Sequence, residues 1–228
     1  MKGKLVVIEG LDSSGKQTQT RLAAETLAEM GYPVKEVAFP DYQSESSTLV
    51  KMYLAGEFGD HADDVNPYAA SSFYAVDRYA SYKKNWEEFY QNGGVVFADR
   101  YTTSNMIHQA SKIDNTRIKN LYLDWLYDYE YKLLKLPIPD VVIFLDMPPE
   151  NSRELMESRP NKITGEMQKD IHEKDSDYLE KSYINALYVA KKYDWCKVFC
   201  VDGGQIRSIE DIHQEIMEIL EKEGVFQE

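Results

Sequence analysis

The sequence predicts one α/β domain in which a five-stranded parallel sheet is flanked by helices on both faces. Short apolar runs rich in β-branched residues alternate with segments whose apolar residues recur at helical spacing. Strands that are apolar throughout are typical of parallel sheets, because helices cover both of their faces. We expect the whole chain, residues 1–228, to form a single domain. The apolar runs are residues 4–8, 34–39, 94–98, 141–145 and 198–201.

The first strand leads into a glycine-bounded loop and then into a helical pattern. From Gly10 to Gly15 and Lys16 the spacing matches the P-loop, G-x-x-x-x-G-K-[ST], whose backbone N–H groups surround phosphate oxygens. We therefore expect a nucleoside triphosphate as ligand and the three-layer fold of P-loop NTPases. Gln17 departs from the pattern, because a Ser or Thr at that position holds Mg²⁺. The expected phosphate-binding residues are Gly10, Leu11, Asp12, Ser13, Ser14, Gly15, Lys16, Gln17 and Thr18.

The helices follow from apolar periodicity and from the glycines that end them. The P-loop helix should begin near Lys16 and stop at Gly31. Further helices are expected along the chain, with an acidic, exposed loop at residues 59–66. The expected helical segments are residues 49–54, 68–90, 120–135, 152–158, 179–193 and 209–223.

Two charged residues follow the third strand, at the edge of an open parallel sheet where ligands bind. Asp99 and Arg100 come directly after the apolar run at residues 94–98. Phosphoryl transfer needs mainly positioning and positive charge, because negative charge spreads over the phosphoryl oxygens. We expect Asp99 to hold Mg²⁺ directly or through water. A surface ion pair at a strand end is the alternative interpretation.

The long helix at residues 68–90 carries aromatic residues ahead of an arginine. A nucleotide base stacked on Phe73 or Tyr74, with Arg78 at its edge, would suit a nucleotide acceptor. Aromatic residues at helical spacing are also typical of a protein core. Both interpretations stay open on the sequence.

A cation-containing segment from about residue 150 to residue 175 has few apolar residues. Such a segment can close over bound phosphates as a lid that excludes water and adds positive charge. The alternative is a solvated charged loop. The cations are Arg153, Arg159, Lys162 and Lys169.

Composition argues against several classes of protein. A net charge of −13 disfavours a broad nucleic-acid or anionic-membrane surface, since either needs clustered cations. The apolar runs are far shorter than the ~20 residues that span a bilayer, and we expect a cytoplasmic protein. Cys196 and Cys200 should be reduced structural thiols. His172 and Glu173 lack further His or Cys neighbours, so no metal site is expected there.

Taken together, these motifs resemble thymidylate kinase, the nucleoside monophosphate kinase family that phosphorylates dTMP from ATP. The resemblance covers most of the chain, and the order and spacing of the motifs are more specific than any single one. It is carried by Glu9-Gly10-Leu11-Asp12, Gly15-Lys16, Thr18-Gln19, Phe39-Pro40, Asp77-Arg78, Asp99-Arg100-Tyr101, Ser104, Leu145-Asp146 and Arg159.

The resemblance implies ATP and Mg²⁺ as cofactors, dTMP as the acceptor and a homodimeric assembly. Asp12 would meet the sugar of dTMP, while Arg78 and Arg100 would contact the acceptor phosphate and the thymine edge. Catalytic roles are implied for Lys16, Asp99, Arg100 and Arg159, with Asp99 near the metal. The implied acceptor pocket contains Asp12, Phe39, Pro40, Tyr42, Phe73, Tyr74, Arg78, Arg100, Ser104 and His108.

The chain departs from the family pattern at a few positions. Asp41 follows Phe39-Pro40 where some relatives have an arginine, and His108 replaces an aromatic Tyr or Phe. Ser13 and Ser14 leave the P-loop without an arginine, so the lid is the implied source of catalytic cations. The family's stacking aromatic precedes the arginine by four residues, which selects Tyr74, whereas its identity as Phe selects Phe73.

Two other functions stay open on the sequence. A kinase for a deoxynucleoside or for another monophosphate is the nearer alternative, and a nucleoside kinase would need a carboxylate base such as Glu9 or Asp99. A nucleotide-dependent switch is the more distant alternative. Switches that read guanine use an N-K-x-D motif, and residues 161–164 lack its Asp. The aromatic-rich helices fit either a dimer interface or an intramolecular core.

Overall fold

The computed structural model describes residues 2–157 and 176–227. Five strands form one parallel sheet, and this confirms the predicted fold class. They are β1 (Lys4–Gly10), β2 (Val34–Ala38), β3 (Val95–Asp99), β4 (Val141–Asp146) and β5 (Cys196–Phe199). The strand order is β2-β3-β1-β4-β5, so the strand that leads into the P-loop lies at the centre of the sheet.

Helices flank this sheet, and two further short strands form a separate hairpin. The helices are α1 (Lys16–Glu29), α2 (Thr48–Leu54), α3 (Pro67–Ser81), α4 (Glu87–Gln91), α5 (Thr102–His108), α6 (Thr116–Tyr127), α7 (Pro149–Glu157), α8 (Ser176–Lys192) and α9 (Ile209–Lys222). Short 3₁₀ turns occupy Glu45–Ser47, Ala62–Asp64 and Ala110–Lys112. The hairpin pairs β6 (Val201–Asp202) with β7 (Gln205–Ile206).

Successive side chains of β1 point into opposite layers of the molecule, as the pleat of a strand requires. On one face, Ile8 belongs to a buried cluster with Leu27 of α1 and Ile216 of α9. On the other face, Val7 belongs to an aromatic-rich cluster that includes Trp86. Full burial of such a side chain contributes about 1.5–3 kcal/mol, so packing on both faces holds the central strand in place.

Two long helices contain π turns that the sequence did not predict. The helix expected over residues 68–90 is interrupted at Tyr82–Trp86, between α3 and α4. The helix expected over residues 120–135 begins earlier, at Thr116, and ends in a second π turn at Asp128–Leu133. Apolar periodicity detects helical structure but does not resolve one extra residue in a single turn.

Two local predictions are wrong, and one helix was not predicted. The fifth sheet strand is Cys196–Phe199 rather than residues 198–201, because Val201 pairs within the separate hairpin. The acidic loop at residues 59–66 is not wholly exposed, since Ala62 and Val65 are buried in it. Helix α5 was missed because six of its seven residues are buried, so no polar face marks it in the sequence.

The remaining expectations concern the thiols, the membrane and the lid. Cys196 and Cys200 are free thiols, as expected. Among the described helices, none combines the length and apolar character that a membrane span requires. The lid prediction falls largely outside the described residues, because only residues up to 157 of that segment belong to them.

Candidate active site

The P-loop joins the carboxyl end of β1 to the first turn of α1. Gly15 caps α1 with φ 88°, and Ser13 also lies in the left-handed region, with φ 60°. A Cβ at Gly10 would lie 2.6 Å from Ser14 Oγ and 2.9 Å from Leu145 O, so glycine is required there. Within the described chain, no side chain caps α1 and no acidic residue lies in its first turn. The N–H groups of that turn are therefore open to an anion.

Lys16 lies inside this loop and is only 4% exposed. Its Nζ donates to the carbonyl of Leu11 at 2.5 Å, which brings the ammonium group back across the loop. The hydroxyl oxygens of Ser13 and Ser14 are buried and have no hydrogen-bond partner among the described residues. Gln17, in contrast, is exposed. The loop therefore brings an ammonium group, two hydroxyls and backbone amides together, which is a set of groups suited to an anion.

Asp99 ends β3 and pairs in register with Ile8 of β1. The residue is 7% exposed, and its Oδ1 atom is buried without a hydrogen-bond partner in the described part of the chain. An unpaired buried carboxylate oxygen is costly, and a cation would satisfy it. Mg²⁺ is commonly held by one or two carboxylates together with substrate phosphates, so Asp99 fits this ion. The described residues hold no cluster of three or more acidic, His or Cys side chains suited to a metal.

Arg100 connects the P-loop to helix α5. Its Nη2 donates to Asp12 Oδ1 at 2.5 Å, and its Nη1 lies 3.1 Å from His108 Nε2. Nη1 also donates to Ser104 Oγ at 3.2 Å and lies 3.4 Å from a carboxylate oxygen of Glu9. Burial opposes the positive charge, but the neighbouring carboxylates outweigh it and raise the pKa of Arg100. Arg100 is therefore a fixed cation at the carboxyl edge of the sheet.

Glu9 lies beneath this arginine and is fully buried. It accepts hydrogen bonds from the hydroxyls of Thr103 and Ser104, both at 2.8 Å, and from the N–H of Gly10 at 3.0 Å. The sequence places Glu9 in the motif that resembles the family, and the one chemical role it suggests for this residue is the base of an alternative kinase. Its observed contacts tie the start of α5 to the end of β1, which indicates an anchoring role.

A cavity beside the P-loop brings together nearly all the residues predicted for the acceptor pocket. Those that line it are Asp12, Phe39, Pro40, Tyr42, Tyr74, Arg78, Arg100, Ser104 and His108. Four further lining residues had no predicted role, and they are Leu54, Tyr101, Asn105 and Gln109. Tyr101 directly follows Asp99-Arg100 and Asn105 directly follows the predicted Ser104, so proximity to these residues in the sequence was the signal for them.

The structure separates the two candidate stacking residues on α3. Tyr74 lines the cavity. The ring of Phe73 does not line it and packs against Tyr53 and Phe58, with centroid distances of 6.5 Å and 5.6 Å. The Tyr74 ring also meets Tyr53, edge-on at 6.4 Å. Of the two residues, Tyr74 is therefore the one that borders the cavity, and it also has the spacing of four residues before Arg78.

Arg78 lines the same cavity but is almost fully buried and bound to a partner that the sequence did not predict. Its Nε donates to one oxygen of Glu130 at 2.7 Å, and its Nη2 donates to the other at 2.5 Å. Glu130 lies in the π turn after α6 and is fully buried. Burial opposes the charge of Arg78, but the Glu130 carboxylate outweighs it and raises the pKa of the guanidinium group. The two side chains form a buried, bidentate ion pair.

Gln109 adds an unpaired acceptor to the cavity. It directly follows α5 and is only 1% exposed. Its Oε1 atom receives no hydrogen bond from any described residue. Because a buried amide oxygen without a donor is costly, this atom is suited to accept a hydrogen bond from a ligand. Its place next to His108 was the only sequence signal for it.

One of the four predicted lid cations belongs to the described residues. Arg153 lies on α7 and is exposed. Arg159, Lys162 and Lys169 lie outside the described residues.

Comparisons with known proteins all point to one family. A family model described as thymidylate kinase matches residues 8–216. A probable thymidylate kinase of Thermococcus onnurineus is 28% identical over 220 residues, which cover 96% of this chain and 97% of the relative. The thymidylate kinase of Plasmodium falciparum is 27% identical over 224 residues, which cover 97% of this chain and 91% of the relative.

Two solved structures have a similar fold. The thymidylate kinase from Candida albicans superposes with a TM-score of 0.71 at 23% identity, covering 98% of this chain and 93% of that one. The thymidylate kinase from Ehrlichia chaffeensis superposes with a TM-score of 0.64 at 19% identity, covering 96% of this chain and 100% of that one. At these identities the likeness concerns the fold.

Proposed function

The chain belongs to the thymidylate kinase family, and from this we propose that it transfers the γ-phosphoryl group of ATP to dTMP, giving dTDP and ADP. One observation carries the proposal most directly. Asp12 belongs to the P-loop and also lines the neighbouring cavity, where it binds Arg100. A phosphate donor in the loop and an anionic acceptor in the cavity would therefore lie side by side.

The donor site is proposed for the triphosphate of ATP. Lys16, the hydroxyls of Ser13 and Ser14 and the first-turn amides of α1 would surround the phosphate oxygens. Mg²⁺, held by Asp99 and by the phosphates, would neutralise negative charge on the nucleotide. Gln17 is exposed and is not proposed as a metal ligand.

The acceptor site is proposed for a pyrimidine nucleoside monophosphate. Arg100 would meet the phosphate, since it lies beside the P-loop residue Asp12. Tyr74 would stack on the base, and Gln109 Oε1 would accept a hydrogen bond from the base. Thymine carries a ring N–H between two carbonyl groups, so it offers the donor that this oxygen lacks. Support for thymine as the natural base comes from the family.

The proposed reaction requires alignment and charge neutralisation more than a strong base. The acceptor phosphate is already an anion, so it can attack without losing a proton to the protein. Arg159 is proposed to add positive charge from the lid when substrates are bound. An Arg159→Ala variant should lower kcat or raise KM, and unchanged values of both would remove this residue from the proposal.

A panel of acceptors tests the function. ADP formation from ATP and Mg²⁺ would be measured with dTMP, dUMP, dCMP, dGMP, AMP and thymidine. We expect the highest kcat/KM with dTMP. A higher value with thymidine would instead identify a nucleoside kinase, and ATP binding without ADP formation from any acceptor would favour a nucleotide-dependent switch.

We also propose that the protein is a cytoplasmic homodimer. The two thiols are free, which is usual in the reducing cytoplasm. One face of α3 and α6 leaves several large apolar side chains exposed. They are Tyr68, Val76, Tyr79, Ile118 and Leu121. The Tyr68 ring also packs on Trp125 of α6 at 4.7 Å, so the two helices adjoin and present one surface suited to a second copy of the chain.

A further inference from the structure

The guanidinium group of Arg78 is held from behind by one carboxylate. Glu130 occupies its Nε and Nη2 atoms in the parallel arrangement that carboxylates form with arginine. Glu130 is itself fixed by the hydroxyl of Thr102, which donates to Oε2 at 2.8 Å. All three side chains are 1% exposed or less. The position of the guanidinium plane is therefore determined by residues outside the cavity lining.

The same contacts leave one side of Arg78 available to a ligand. Nη1 is the nitrogen that Glu130 does not bind, and its contact within the described chain is the carbonyl of Tyr101 at 3.4 Å. That distance lies beyond the usual range of an N–H···O hydrogen bond. Arg78 and Tyr101 both line the acceptor cavity, so a ligand atom that reaches Arg78 there would compete with this weak contact for the hydrogens of Nη1.

Charge indicates which part of the acceptor this nitrogen meets. The Arg78–Glu130 pair has no net charge, so it offers little electrostatic attraction to a phosphate dianion. The pair does offer a directional N–H donor, which suits a neutral carbonyl oxygen. Arg100 lies against the P-loop residue Asp12 and is the cation closer to the transferred group.

We infer that Glu130 is a positioning residue for base selectivity, which balances the charge of Arg78 and fixes its guanidinium group as a donor to a carbonyl oxygen of the acceptor base. This inference rests on the proposed function. A pyrimidine with a carbonyl group at the 4-position accepts a hydrogen bond from Nη1. A pyrimidine with an amino group there presents its own N–H, so two donors face each other. Loosening Arg78 should weaken this discrimination.

Steady-state kinetics of a Glu130→Gln variant test the inference. The substitution keeps the size of the side chain but places an NH₂ group against a guanidinium N–H. We expect KM for dTMP to rise about tenfold and the ratio of kcat/KM for dTMP over dCMP to fall about tenfold, with KM for ATP unchanged. An unchanged ratio would overturn the inference, even if kcat/KM falls equally with both acceptors.

Two other variants keep the test decisive if Glu130→Gln does not fold. Thr102→Val removes the hydroxyl that fixes Glu130 while preserving side-chain shape. It should lower the dTMP over dCMP ratio in the same direction but less, by about threefold, and no change would count against the inference. Glu215→Gln is the matched control, because Glu215 pairs with Arg207 at 2.5 Å in another part of the molecule. It should leave the ratio at the wild-type value.

The outcomes separate this inference from the proposed function. If the wild-type protein does not phosphorylate dTMP, the proposed function fails. If it does, and Glu130→Gln keeps the wild-type preference for dTMP over dCMP, only the role of Glu130 fails.

Discussion

At the scale of single residues, Arg100 combines an unusual backbone conformation with several side-chain contacts in the site. Its backbone has φ 68°, in the left-handed region that non-glycine residues rarely adopt. Its N–H bonds to the carbonyl of Ile8, while its side chain binds Asp12 and His108. Such backbone strain costs on the order of 1–3 kcal/mol and persists only where the surroundings enforce it. Here it directs the guanidinium group back toward the P-loop.

The first prediction at the scale of single residues concerns Lys16. A Lys16→Ala variant should lose at least about 100-fold in kcat, because no other described P-loop side chain supplies a positive charge to the phosphates. Thermal unfolding should stay cooperative, since the lysine bonds within a loop rather than across the core. Lys222→Ala, an exposed lysine at the end of α9, is the control and should retain activity. Near-normal turnover by Lys16→Ala would contradict the proposed donor site.

At the scale of elements, helix α5 links the two halves of the site. Its first turn bonds to Glu9 through Thr103 and Ser104, and its last residue, His108, meets Arg100. The ring of His108 also stacks on Tyr178 of α8, with centroids 6.2 Å apart. Because one short helix bears on both the P-loop and the acceptor cavity, a shift of α5 would alter both sites together.

Lys112 connects the 3₁₀ turn after α5 to the segment that follows α2. Its ammonium group donates to Tyr53 OH at 2.9 Å, to Val65 O at 3.1 Å and to the carbonyl of Ala62. We predict that Lys112→Met lowers the free energy of unfolding by about 1–3 kcal/mol, because partly buried acceptors lose their donor. Chemical denaturation at neutral pH measures this. The exposed Lys222→Met is the control, and equal stability of the two variants would refute the prediction.

The same lysine should make the stability of the protein depend on pH. Burial lowers the pKa of Lys112 to about 8, whereas in the unfolded chain it keeps its ordinary value near 10.5. Between these values the unfolded chain binds more protons, so this group's contribution to stability rises with pH and is lost as pH falls through 8. The stability difference between wild type and Lys112→Met should therefore grow from pH 8 to pH 10. A constant difference would show that the proton stays bound in the folded state.

At the scale of the whole molecule, the exposed apolar face of α3 and α6 predicts association. Leu121 is 58% exposed on α6. A Leu121→Glu variant should run at half the wild-type mass in light scattering, because a charge in the centre of an apolar interface is costly. Ile209→Glu is the control, since Ile209 is 51% exposed but begins α9, which packs on the opposite face of the sheet. A monomeric wild type would refute the proposed homodimer.

Much of the architecture was predictable, because local spacing encodes it. The five strands come from short apolar runs, and Gly10, Gly15 and Lys16 mark the phosphate loop by spacing alone. Most of the predicted acceptor residues line one cavity for a general reason, since the carboxyl ends of parallel strands meet at one edge. Helix α5 was not predicted, because burial on nearly all sides removes the amphipathic pattern.

The sequence by itself determined the α/β class, the P-loop and the order of the charged motifs, because each depends on residues that are close in the chain. Only the tertiary structure decided that Arg78 binds Glu130, 52 positions away, and that Tyr74 rather than Phe73 lines the cavity. It also decided that Gln109 presents an unpaired oxygen there. These features depend on which distant segments pack together, and no spacing along the chain records that.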